Sequence, residues 1–165
     1  IIGGSYNRLI NTTLSRLVHG NMERLGGLSY SAEEQAFAEE IRETLGRVDI
    51  PLGSERQVQP FEAGITMSSS DNGDVSWVVP MATYIAATWV PGTASHSWQA
   101  VAAGGMSIGQ KGMLLAAKVL ATTAVDLFSD ASLIQKARSE WQERRGNFQY
   151  KPLVGDRDPP LDYRE

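Results

Sequence analysis

Few side chains in this sequence can do chemistry, and the most conspicuous is His96 in the stretch PGTASHSWQ, residues 91–99. It follows an apolar run and precedes a long helical stretch, and the only other histidine is His19. Loops at the end of a buried strand are where α/β proteins place ligands, and neutral imidazole is the commonest metal ligand. A zinc site, however, needs at least three protein ligands. Here only His19 and carboxylates are available to join His96. Asp71-Asn-Gly-Asp74 brings two carboxylates into one turn. The long ladder of oxygens and the late glutamate of an EF-hand are missing, so a calcium loop is not indicated.

Ser107 sits in Gly105-Met-Ser107-Ile-Gly109, which fits the G-x-S-x-G nucleophile elbow. The elbow needs a strand before it and a histidine after it in chain order. AVAAGG is a poor strand and no histidine follows Ser107, so Ser107 reads as a helix N-cap. The run Gly104–Lys111 falls short of a phosphate-binding loop, because Gln110 separates Gly109 from Lys111 and Gly112 takes the hydroxyl position. His19 lies within a helical stretch and reads as a half-exposed surface residue without a catalytic role.

These residues need elements to position them. Residues 11–26 repeat Leu14, Leu17, Val18 and Leu25 at helical spacing before Gly26-Gly27. Ser31-Ala-Glu-Glu34 is a capping box that starts a helix from about Ala32 to Leu45. Residues 47–60 read as an irregular loop, and Phe61 to Met67 as a short strand. Asn72-Gly73 reads as a turn. Met81 to Val90, MATYIAATWV, reads as a largely buried strand. Ser107 to Phe128 is helical and apolar on most faces, as in a helix packed across a sheet. Ser132 to Arg145 reads as an amphipathic helix, followed by an extended proline-containing tail. The pattern predicts a soluble α/β domain with a possible site near His96.

The 165 residues suit one domain, and 42% hydrophobic with 21% charged residues is ordinary for a globular chain. A net charge of −4 leaves no basic footprint for nucleic acid. With no cysteine, disulfides, thiolate zinc sites and cysteine nucleophiles are excluded. No uninterrupted apolar run reaches membrane-spanning length and no signal peptide opens the chain. Asn11-Thr12-Thr13 matches a glycosylation sequon by chance. The opening IIGG resembles an activated trypsin-like protease, but Gly-Asp-Ser-Gly-Gly and the cysteines are lacking. Ile1 is therefore expected to be a cut, with part of the protein missing.

Read together, SSSDNGDVSWVVP, PGTASHSWQAVA and IGQKGMLLAAKVLATTAVDLF resemble the aminobenzoyl-glutamate utilization protein B branch of the aminoacylase/carboxypeptidase-like metallopeptidases. SYNRLINTTLSRLVHGNMERLG is similar to the segment where such a chain returns from its lid domain. The resemblance implies that residues 1–30 are this return segment and that residues 31–165 are the C-terminal part of a two-metal catalytic domain of α/β fold, with helices packed on a mixed sheet. It implies a cytoplasmic amidohydrolase acting on N-acyl amino acids or dipeptide-like substrates, p-aminobenzoyl-glutamate among them, as a homodimer or paired with a related subunit. His96 matches the last metal-ligand histidine of the family, with zinc or manganese as the two divalent metals. Asp71 and Asp74 match an acidic block near the site, where they would orient ligands or face substrate. The general base and most ligands would lie upstream, so the 165 residues hold no catalytic residue of their own and are expected to be inactive alone. Ala94-Ser95 replaces the proline and glycine usual before this histidine, and VDIPLGSERQVQPFEAG has no counterpart. The alternative is a stand-alone, non-catalytic binding or assembly domain; a serine hydrolase through Ser107 is a distant third.

Overall fold

The computed structural model describes residues 3–62, 70–156, 158 and 161. Its helices are α1 (Thr12–Leu25), α2 (Ala32–Glu43), α3 (Asn72–Val78), α4 (Trp98–Gly104), α5 (Ser107–Ser129) and α6 (Ala131–Arg145). The chain divides into two compact units. The first is Ile1–Leu14, Ala63–Ala82 and Ser132–Glu165; the second is Ser15–Glu62 and Thr83–Ala131.

No strand occurs among the described residues, which overturns the expected α/β fold with helices on a mixed sheet. The short strand expected over 61–67 lies mostly outside the described residues. Residues 81–90 form neither a helix nor a ladder, and the Thr88 amide turns back to the Ala86 carbonyl at 2.9 Å. Their β-branched and aromatic side chains favour extension, but a strand also needs a second extended segment beside it to complete its hydrogen bonds. The segment runs along α5 instead. The Tyr84 hydroxyl donates to the Ala116 carbonyl at 2.6 Å, and Gly112 of α5 closes on the Ala87 carbonyl. Val90, at its end, is buried with Ala38 and Ile41 of α2, Ala103 of α4 and Ile108 of α5. Ile85, within the stretch expected to be a largely buried strand, is 86% exposed.

In the second unit the capping box forms as the spacing predicts. The Ser31 hydroxyl accepts from the Glu34 amide, and the Glu34 carboxylate accepts from the Ser31 amide at 2.7 Å. That buried carboxylate also receives the Lys111 ammonium and the Ser107 hydroxyl, tying the start of α2 to the start of α5. Hydrogen bonds from Lys111, then from Ser107 and the Ser31 backbone, hold Glu34 down at about 2. The N-cap of α5 is Met106, not Ser107. Asn21 of α1 donates to Thr123 at 3.1 Å and to Asp126 at 2.8 Å on α5. By length and composition α5 would suffice to cross a membrane, although no uninterrupted apolar run was apparent in the sequence; core helices of soluble proteins pass the same test. Met113, Leu120 and Phe128 stand exposed along it.

In the first unit Asn11 caps α1, its carboxamide oxygen accepting from the Leu14 amide at 2.9 Å. Its nitrogen donates to the Ala137 carbonyl at 2.7 Å and the side chain is buried, so the sequon is closed by packing. Glu140 of α6 completes the cap, accepting from the amides of Thr12 and Thr13 at 2.8 Å each and from the Thr13 hydroxyl at 2.7 Å. Burial alone would raise this carboxyl. The hydrogen bonds from Thr13 and Thr12 outweigh it and bring Glu140 to about 2.

Candidate functional site

His96 is placed by a short chain of backbone constraints in the second unit. At Pro91-Gly92 the chain turns, with the Thr93 amide donating to the Val90 carbonyl at 3.1 Å. Gly92 has φ 89° and faces Val48, so both the backbone and the space exclude a side chain there. The Arg42 guanidinium, at the end of α2, donates to the carbonyls of Pro91, Val48 and Ile50 and fixes the turn against the loop at 48–50. Beyond it, Ser97 is the N-cap of α4. Its hydroxyl donates to the Ala94 carbonyl at 2.7 Å and accepts from the Ala100 amide at 3.2 Å.

Between these anchors His96 takes φ 60°, the only non-glycine residue with positive φ among those described. Histidine tolerates this left-handed region better than most residues, yet the conformation is uncommon and clusters at functional sites. The ring is exposed at the rim of an open depression of ≈ 620 Å³ lined by Trp89, His96, Ser97, Trp98, Ala100 and Val101. The sequence reading found His96 but missed the two tryptophans. Their one sequence signal is proximity, an indole seven residues before the histidine and another two after it, and proximity alone does not place both in one concavity.

Asp71 and Asp74 belong to the first unit. Asp71 occupies the N-cap position of α3 without a capping hydrogen bond and is exposed. Asp74, one turn further on, accepts from the Tyr150 hydroxyl, whose pKa is pushed up by desolvation and then by that carboxylate. The turn expected at Asn72-Gly73 is instead the start of α3. Gly73 packs on the Tyr6 carbonyl, the Ser76 hydroxyl accepts from the Leu9 amide at 2.8 Å, and the Trp77 indole donates to the Asn7 carbonyl at 2.8 Å. The Gly-Asp-Val-Ser-Trp block therefore holds the segment Tyr6–Leu9 to α3. The Ser76 carbonyl also receives the Trp141 indole at 2.8 Å.

His19, the other histidine, donates from Nε2 to the Gln59 carbonyl at 2.9 Å and meets the Phe61 ring edge-on, so packing occupies it. Ser107 gives its hydroxyl to Glu34, a carboxylate at the head of a helix and not a base poised for catalysis. Among the described residues no group of three or more His, Asp or Glu side chains could hold a metal ion. These residues thus do not form a metal centre by themselves; His96 offers one imidazole.

Set against curated proteins, the chain is 34% identical over 160 aligned positions to one of the subunits of p-aminobenzoyl-glutamate hydrolase from Escherichia coli (strain K12), covering 82% of this chain and 33% of that protein. The chain spans about a third of the length of this relative. The resemblance carried by the three sequence blocks is borne out by this match. No family model matches the chain, and no solved structure matches it.

Proposed function

We propose that this chain forms the C-terminal portion of a cytoplasmic amidohydrolase that cleaves the amide bond of N-acyl amino acids such as p-aminobenzoyl-glutamate. The observation that carries the reading is His96, held in a left-handed conformation between two fixed turns inside the block that resembles the family's metal-ligand loop. In this reading the imidazole is one ligand of a divalent metal site, zinc or manganese, and the other ligands come from outside the described residues. The similarity to a protein named as a hydrolase subunit supports it, and supports pairing with a related subunit or a second copy.

The chain's own contribution is positional. Arg42 and Ser97 fix the loop from both sides, so the imidazole is presented without having to be ordered at the moment of use. Asp71 and Asp74 act from the acidic block, Asp74 already oriented by Tyr150. In a longer protein that contains this chain and hydrolyses the amide, His96→Ala is expected to lower both bound metal and activity by about 100-fold or more. Wild-type activity and metal content in that variant would overturn the assignment. The 165-residue chain alone is expected to be inactive, and steady hydrolysis by it would equally contradict the reading.

One observation favours a second reading, a non-catalytic assembly domain: the exposed apolar face of α5, with Phe128 90% exposed. Metal content of the longer protein separates the two, since an assembly domain needs none.

A further inference from the structure

The four tryptophans fall into two classes. Trp141 is buried, and the indole N–H groups of Trp141 and Trp77 donate to the carbonyls of Ser76 and Asn7. Those two hold the first unit together. Trp89 and Trp98 belong to the second unit and are 37% and 60% exposed, beside His96. The edge of Trp89 rests over Gly104, where a Cβ would lie 3.7 Å from its Nε1. Trp98 is the first residue of α4. Trp98 and the exposed part of Trp89 thus line one concavity with the histidine.

We propose that this depression is the seat of the aryl ring of an N-aroyl amino acid, with Trp89 and Trp98 as its specificity-determining residues. The proposal deepens the amidohydrolase reading and rests on it for the identity of the reacting bond. Its ≈ 620 Å³ is ample for a substituted benzoyl group. The lining has the composition of a small-molecule site: two indoles with Ala100 and Val101 supply an apolar bed, while His96 and Ser97 supply the polar rim. A flat ring stacks on indole by offset or edge-to-face contact, which an alkyl acyl group cannot do as well. His96 precedes Trp98 by two residues, and its backbone is fixed. A ring seated here therefore carries its attached amide to the imidazole side of the concavity.

The test uses two probes, N-benzoylglycine and N-acetylglycine, and two readouts. In the 165-residue chain the four indole N–H resonances are followed by NMR. N-Benzoylglycine is expected to shift those of Trp89 and Trp98 saturably, leaving those of Trp77 and Trp141 in place, while N-acetylglycine shifts none. Trp98→Ala should weaken the remaining Trp89 response roughly threefold to tenfold, and Trp98→Phe should restore most of it. Unmoved Trp77 and Trp141 signals in the variants show that the fold persists. In the longer hydrolase, Trp98→Ala should raise KM for the benzoyl substrate by a similar factor, and more than it raises KM for the acetyl substrate. Shifts that do not saturate, that spread over all four indoles, or that both probes produce would overturn the aryl site. A saturable shift at Trp89 and Trp98, together with a longer protein that contains this chain and hydrolyses neither N-benzoylglycine nor p-aminobenzoyl-glutamate, would keep the aryl site and remove the amidohydrolase reading beneath it.

Discussion

Replacing His96 tests whether its backbone is held left-handed for the sake of the imidazole. With φ at 60°, a side chain bearing a Cβ pays about 1–2 kcal/mol against the following carbonyl. Glycine removes that cost but gains about 0.4–1 kcal/mol of unfolded-state entropy. The balance favours His96→Gly over His96→Ala by roughly 0.5–1 kcal/mol, the reverse of the order at ordinary positions, where glycine is the weaker residue. The ring is exposed, so losing it removes little packing, and His96→Ala should fall close to the parent chain. Urea unfolding followed by circular dichroism reads the difference as a midpoint about 0.3–0.5 M higher for the glycine variant, taking a slope of about 2 kcal/mol/M. His96→Asn should keep the parent stability, since asparagine also tolerates this region. An alanine variant as stable as the glycine variant, or more so, would refute a left-handed His96 and with it the idea that the loop sacrifices stability to present the ring.

Lys111→Met should leave the Glu34 carboxylate without its counter-charge. Because Lys111 is partly exposed and screened, the loss at neutral pH is expected to be roughly 1–2 kcal/mol, read by thermal melting. In the parent chain Glu34 is held at about 2 against an ordinary 4.5, so its stabilising share is complete above about pH 4.5. That share is lost as pH falls toward 2; in Lys111→Met the acid transition should begin at higher pH, and an unchanged transition would contradict the pairing. Gly112→Ala improves helix propensity but puts a Cβ 2.5 Å from the Ala87 carbonyl oxygen and 2.8 Å from the Thr88 methyl. A loss of about 2 kcal/mol, or about 4–8 °C in Tm, is expected, whereas a stabilised variant would show that Ala87 and Thr88 do not lie against α5.

Local signals carried the sequence reading where structure is local. Leu14, Leu17, Val18 and Leu25 marked α1, Ser31 and Glu34 marked the start of α2, and α5 and α6 followed from periodicity to within a residue or two. The failures were non-local. Asn72-Gly73 suits a turn and the first turn of a helix equally well, and the close approach of the Tyr6 carbonyl to Gly73 comes from a segment more than sixty positions earlier. Residues 81–90 carry strand propensity, but propensity cannot supply a neighbouring strand. At the candidate site His96 was legible from its block and its loop. The aromatic lining was not, because Trp89 read as strand core and Trp98 as part of a motif, and only folding shows that both face the same concavity. Asp71 and Asp74 were legible as a pair, and their assignment to a different compact unit from His96 was not.

The first unit has a consequence for the order of events during synthesis. It is assembled from three separated stretches, and the bonds that anchor its N-terminal stretch join residues 126 to 128 positions apart: Asn11 to Ala137, Thr12 and Thr13 to Glu140. At about 5–20 residues per second, roughly 6–25 s pass between the emergence of Asn11 and that of its partner. Through that interval α1 has no Glu140 at its head, whereas Leu9 waits for Ser76, 67 positions on, only about half as long. The two stretches of the second unit are complete by Ala131. On a growing chain the histidine loop and its two indoles can therefore form before the ends of the chain have anything to hold.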